Sequence, residues 1–146
     1  MDAGYELQKA CVQRMIANSA ITALVGYRFY DHVPATATGR WTAQFPFIQI
    51  GPTTMVPDDA DCIDGEEITI QFDVWSSGTS GEAYDSIEAR KIANLVKRSL
   101  HRADIALADN ALVSLEHVLT RQVGDPNPAL HHFAVQFRAL IETPGA

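Results

Sequence analysis

Residues 68–76 read Ile68-Thr69-Ile70-Gln71-Phe72-Asp73-Val74-Trp75-Ser76, and their alternation decides what kind of fold the chain adopts. Ile68, Ile70, Phe72 and Val74 recur at every second position, the period of a β-strand that buries one face. Thr69, Gln71, Asp73 and Trp75 then point the other way. Immediately downstream, residues 77–81 (SGTSG) form a turn, and Thr79 with Glu82 three positions later fits a capping box that opens a helix. Tyr84, Ile87, Ile92, Leu95, Val96 and Leu100 make the apolar stripe of that helix. Lys97, Arg98, His101 and Arg102 place positive charge at its C-terminal end, where the helix dipole favours it. Strand, turn and amphipathic helix together predict a helix lying across a sheet.

Toward the C-terminus, two long β patterns at 111–123 and 129–142 flank Gly124-Asp125-Pro126-Asn127-Pro128, which has the residues of a hairpin turn. Antiparallel pairing follows, with Phe133, Val135, Phe137, Ala139 and Ile141 turned to the core and His132, Gln136, Arg138 and Glu142 turned away. Toward the N-terminus, Leu7, Ala10, Cys11, Met15 and Ala17 recur at helical spacing, with Glu6, Gln8, Lys9, Gln13 and Arg14 on the other face. Ser19 caps a short second helical segment over 20–25, which Gly26 stops. Residues 29–33 predict a short strand closed by Pro34. Residues 45–51 predict another, Phe45 and Phe47 on one face and Ile48 and Ile50 on the other, stopped by Pro52. Two loops are expected between these elements. The first, 35–44, is exposed and has Trp41 as its one large apolar residue; the second, 55–67, carries Asp58, Asp59, Asp61 and Asp64 with Glu66 and Glu67 and no basic residue.

The order of elements is that of an α+β fold, a mainly antiparallel sheet with helices packed on one face, in a single domain. The second face of the sheet carries Trp75, Ala134 and Leu140. Two readings of it stay open: an interface with another subunit, or a covering layer supplied by the same chain.

A chain of 146 residues suits one domain with its own hydrophobic core, and 47% apolar residues against 20% charged is the balance of a globular protein rather than a disordered one. The formal net charge of −7 disfavours adhesion to nucleic-acid phosphate. Two cysteines in unlike contexts, Cys11 in a helical pattern and Cys62 in an acidic loop, predict no disulfide and a reducing place of synthesis. Residues 1–13 have no basic start followed by an apolar run, and no stretch approaches the roughly 18 apolar residues of a membrane span, so neither secretion nor membrane insertion is expected.

No chemistry is predicted. Asp59, Asp61 and Asp64 superficially match a calcium loop, but Ile63 stands at the third ligand position and Asp64 where the glycine belongs. Residues 78–82 lie where a nucleophile elbow or a phosphate-cradling loop would, yet Glu82 replaces the last elbow glycine and no Lys-Ser or Lys-Thr follows. His131 and His132 are neighbours in a strand and point to opposite faces, which predicts surface or edge histidines rather than a chelating pair. With the hairpin centred near Pro126, His132 falls opposite Thr120 and His117 opposite Val135. Cys11 packs as a small hydrophobe, and acidic neighbours of Cys62 disfavour its thiolate. Catalytic, cofactor and metal sites are therefore expected to be none. The dense basic cluster Arg90, Lys91, Lys97, Arg98 and Arg102 contrasts with an acidic loop elsewhere in the same chain. Opposite charges on one subunit can meet head to tail, a heterologous contact that closes into a ring when the rotation permits.

The pattern resembles, nearly end to end, the small tail-completion (tail-terminator) proteins of siphophages and of phage-derived gene-transfer particles. The residues that carry the resemblance are 7–34 (LQKACVQRMIANSAITALVGYRFYDHVP), 45–51 (FPFIQIG), 65–76 (GEEITIQFDVWS), the helix through Leu100-His101, and 112–142. These are structural signatures rather than catalytic motifs. The resemblance implies a structural virion protein, made in the host cytoplasm and placed at the head-proximal end of the tail. There it forms a hexameric ring that caps the tail tube, ends its polymerisation and joins the head. The implied partners are further copies of itself, the tail-tube protein and a head-tail connector protein, with DNA passing non-specifically through an acidic lumen and no membrane. Trp41, Asp58, Asp59, Asp61, Asp64, Trp75, Arg98 and Arg102 are the candidate contacts to neighbouring subunits or the tube. A head-side adaptor or stopper is the alternative within the same setting, and a small ligand-binding α+β domain the alternative outside it.

Overall fold

The computed structural model describes residues 2–59, 64–78 and 86–144. In chain order the elements are α1 (Ala3–Ile16), α2 (Ser19–Val25), β1 (Phe29–Tyr30), β2 (Phe47–Pro57), β3 (Asp64–Ser76), α3 (Ile87–Leu100), β4 (Ala111–Val123) and β5 (His131–Thr143). The strands form one sheet in the order β1-β2-β3-β5-β4, antiparallel throughout except for the short parallel pair β1–β2. All three helices contribute to the core on one face, as the α+β reading predicted.

That core joins Leu7, Cys11 and Met15 of α1, Ile21 and Val25 of α2, and Ile92, Val96 and Leu100 of α3 to Ile68, Ile70, Phe72 and Val74 of β3 and Phe133, Val135, Phe137, Ala139 and Ile141 of β5. The period-two reading of both central strands is borne out. Asn18, rather than Ser19, caps α2: its side chain accepts from the N–H groups of Ala20 and Ile21 at 3.0 and 3.4 Å. Gly26 ends α2 at φ +60°, a conformation that favours glycine, and its N–H reaches the Thr22 carbonyl at 2.8 Å.

Several expectations need correction. Helix α3 begins at Ile87, with Ser86 at its N-cap making no side-chain capping bond; the expected box of Thr79 and Glu82, and Tyr84 of the stripe, lie outside the described residues. Ile87 is 58% exposed, whereas Ile92, Val96 and Leu100 of the expected stripe are buried and Leu95 packs against the core, joined by Ala89 and Ala93. β1 ends at Tyr30, before the expected Val33. Pro52 does not stop β2. A register shift between Ile50 and Thr53 absorbs Gly51 and Pro52, so the residue that cannot donate to the ladder sits in an irregularity and pairing resumes through Pro57. The expected loop 55–67 is accordingly mostly a hairpin arm, since Thr53–Pro57 pair with Glu66–Ile70 and β3 already begins at Asp64.

Glu6 is buried rather than on a solvated face. Its carboxylate accepts from the backbone N–H of Asp109 at 3.1 and 3.2 Å and of Asn110 at 3.1 Å, holding the 101–110 connection against α1. Arg14 acts similarly, donating from Nε to the Ser99 carbonyl at 2.8 Å near the end of α3, where carbonyls lack helical partners.

Candidate functional site

Three surfaces remain once the core is accounted for. The first is the β2–β3 arm. Residues 52–59 and Asp64 are exposed, and Asp58, Asp59 and Asp64 cluster at its tip, with Glu66 and Glu67 behind them; Asp61 and Cys62 lie outside the described residues. The tip is held by Asp58 N–H donating to the Gly65 carbonyl at 2.9 Å and Gly65 N–H donating to Asp59 Oδ1 at 3.1 Å. Gly65 is required there, because a Cβ would stand 2.6 Å from the Asp58 carbonyl oxygen. Met55 and Val56 add exposed apolar surface to the arm.

The second surface is an open groove of about 820 Å³ between α3 and β4, lined by Arg90, Lys91 and Lys97 above and by His117, Thr120, Gln122 and Phe133 below. The groove exists because β4 changes character along one face. Leu112 and Leu115 pack under the helices, but His117, Thr120 and Gln122 follow on the same face, opposite Phe137, Val135 and Phe133. Polar side chains there recruit no helix. Arg90 lies over the Phe133 ring at 5.1 Å, a cation–π contact, and none of Arg90, Lys91 and Lys97 joins an ion pair among the described residues. His117 Nε2 is 2.8 Å from Thr120 Oγ1. Its ring is held below the usual histidine range, first by burial, then by the charges of Lys97 and His101, while a hydrogen bond with the Leu119 backbone pulls the other way.

The sequence-defined basic cluster is thereby divided. Arg98 is exposed outside the groove lining, and Arg102, at φ +56°, donates from its backbone N–H to the Leu115 carbonyl at 2.8 Å and from Nε to Glu116 at 3.2 Å.

The third surface is the far face of the sheet, where Val33, Phe47 and Trp75 form a second cluster with Tyr30, Trp41, Phe45 and Leu130 packed against it. Trp75 is 8% exposed, covered edge-on by Trp41 at 4.9 Å. Of the two readings left open for this face, a covering segment of the same chain therefore accounts for Trp75, while Trp41 remains half-buried. His132 is not a surface histidine: it stacks on the Trp75 ring at 3.9 Å and places Nε2 2.7 Å from Asp73 Oδ1. An acceptor-only carboxylate requires the proton on Nε2. Gln71 Nε2 donates to the same oxygen at 2.9 Å, and Trp75 Nε1 donates to Gln49 at 3.2 Å. The hairpin register also differs from expectation, with His132 opposite Val123 and His117 opposite Phe137, because the turn is centred between Asn127 and Pro128 rather than at Pro126; the irregularity between His117 and Leu119 changes the offset by only one residue.

Among the described residues no three His, Cys, Asp or Glu side chains gather as metal ligands, and no helix is long and apolar enough to cross a membrane. Cys11 is buried in the core, and that burial pushes its thiol up to about 12 despite the nearby Arg14 charge, which makes it packing material rather than a nucleophile at neutral pH. What the surfaces offer is recognition: an acidic arm, a basic groove and an aromatic patch.

Residues 9–142 match the model of the family described as tail completion protein gp17. Among solved structures, a chain of the "Virion of native gene transfer agent (GTA) particle" is similar at a TM-score of 0.80 and 24% sequence identity, covering 97% of this chain and 99% of that one, a likeness of fold. No curated protein matches.

Proposed function

The chain belongs to the tail completion protein gp17 family, and from that premise we propose that it works as a six-membered ring at the head-proximal end of a tail tube. Membership makes it a structural component of a virion tail and not an enzyme. The ring ends tube polymerisation and presents the surface to which a head-tail connector protein binds.

The observation that carries this reading is the extent of the family match, which runs from the middle of α1 to the penultimate residue of β5 and includes every element between. The surfaces support it. A subunit with unlike charged regions at different places makes heterologous contacts, and these close into rings when the rotation permits. Trp41, which is half-buried, and the exposed arm acids Asp58, Asp59 and Asp64 are the contacts to neighbouring subunits or the tube. The net charge of −7 suits a channel through which DNA passes without adhering.

The test is the mass of the purified chain across concentration, with and without its tail-tube protein. A closed hexamer, or a monomer that assembles on the tube and stops its growth, is expected. A persistent monomer indifferent to tube protein overturns the proposal.

A further inference from the structure

The acidic arm and the basic groove lie at opposite ends of the strands. Gly65, at the arm, pairs with Glu142, whereas Val74, nine positions along β3, pairs with Phe133 on the groove floor. At about 3.3 Å per residue the far end of the groove floor stands about 30 Å along the sheet from Gly65 and its near end, His117 opposite Phe137, about 17 Å, so arm tip and groove lie apart on one subunit. Both are left unmatched among the described residues of the monomer. Among the described residues Arg90, Lys91 and Lys97 have no carboxylate partner and Asp58 and Asp64 no cation.

From this geometry we infer that the groove between α3 and β4 receives the β2–β3 arm of a second copy of this chain. The inference rests on the ring reading above and names the contact that builds the ring. Asp58, Asp59 and Asp64 of one copy meet Arg90, Lys91 and Lys97 of the next, which is charge complementarity of the kind that sets register and speeds encounter. The match is also apolar. Met55 and Val56, 40% and 52% exposed on the arm, find Ile87, 58% exposed, at the groove. Because donor and acceptor sit on different parts of one subunit, each copy gives an arm and receives one, and the contact propagates head to tail until it closes.

The groove's cations also suit a nucleic-acid phosphate backbone, but its exposed Ile87 does not, and the acidic arm is present at one per groove in any assembly. A neighbouring copy is therefore the occupant.

The experiment uses two full-length variants, Asp58→Lys with Asp64→Lys on the arm, and Lys91→Glu with Lys97→Glu on the groove. All four side chains are exposed, and Asp59, which holds the tip, and Arg90, which covers Phe133, are left in place. Each variant alone is expected to self-associate, or to assemble on tube protein, about tenfold or more weakly than the wild type, a loss of about 1.4 kcal/mol or more. Mixed in equal amounts they are expected to regain assembly, because the reversed arm fits the reversed groove and the natural arm fits the natural one. Wild-type association is expected to weaken as salt rises, a readout that depends on no variant's folding.

Variants that assemble as the wild type, folded variants whose mixture fails to assemble, or wild-type association indifferent to salt each overturn the contact and leave the ring standing. A groove variant that assembles normally but loses adhesion to duplex DNA overturns it in favour of a phosphate site. A wild type that forms no oligomer, alone or on the tube, overturns the ring reading itself.

Discussion

The two faces of the central sheet are built from the same strands by different chemistry. Toward the helices, Ile68, Ile70, Phe72 and Val74 of β3 stand beside Val135, Phe137 and Ala139 of β5, all fully buried. On the reverse face the same strands contribute Asp73, Trp75 and His132, joined by hydrogen bonds and a ring stack and covered by the segment that carries Trp41. The first face needs only volume and hydrophobicity. The second works only if donors, acceptors and rings are placed together, and its cover is a connection rather than a helix.

The comparison predicts that truncation hurts most on the helix side. Phe137→Ala, at a fully buried site in contact with Phe72 across 6.1 Å, is expected to cost about 3–5 kcal/mol, read from the denaturant midpoint at unchanged slope. A loss under about 1 kcal/mol would show that the helix-covered face is loosely packed and would erase the distinction between the faces.

The reverse face should respond to how its groups are removed. His132→Leu leaves Asp73, only 6% exposed, with Gln71 as its remaining side-chain partner, and is expected to cost about 1–3 kcal/mol. Adding Asp73→Val to His132→Leu should recover much of that loss, since replacing both partners by apolar groups removes the unsatisfied acceptor as well. A double variant whose losses simply add would show the pair to be uncoupled, contrary to its 2.7 Å separation.

Trp41→Ala tests the cover. Because Trp41 is half-buried and meets Phe47 at 5.6 Å and Trp75 at 4.9 Å, the expected loss is about 1–2 kcal/mol, with increased solvent exposure of Trp75 visible in its fluorescence. Unchanged Trp75 emission would mean that the segment does not shield that face.

How much of this was legible in the sequence follows from the same contrast. Strands of period two and a helix with an apolar stripe announce a face that only has to be greasy, and β3, α3 and the β4–β5 hairpin were readable for that reason. The reverse face was half legible: alternation places Trp75 and Ala134 there, but it cannot say that residue 41 returns to cover residue 75 or that His132 meets Asp73, 59 positions away. Pro52 was misread because a proline that ends a strand and a proline housed in a bulge look alike without the partner strand. Glu6 was misread because its helical wheel is silent about the 101–110 connection that supplies its N–H donors. The groove had a signal that could have been used. Residues 87, 90, 94 and 97 share a helix side at intervals of three and four, and the inward face of β4 turns from Leu112 and Leu115 to His117, Thr120 and Gln122. What the sequence lacked was the register that brings the two together, which the bulge after His117 sets.

His117 stands where the helix-covered face gives out, and its titration measures that boundary. Burial, Lys97 and His101 hold its folded pKa below the ordinary histidine value, so between the two values the unfolded chain binds more protons than the folded one. Stability from this group is therefore fully present above about pH 6.5 and is lost as the pH falls toward the folded value. His117→Gln keeps a polar side chain near Thr120 but cannot titrate, and is expected to flatten the stability profile just below pH 6.5 while changing stability at pH 8 by about 1 kcal/mol or less. A variant that retains the full slope would assign it to other groups. A slope of opposite sign would mean that the groove stabilises the imidazolium, as it would if an acidic arm already occupied it; repeating the titration on the assembled protein separates that case, because carboxylates brought beside His117 raise its pKa and reduce the loss on acidification.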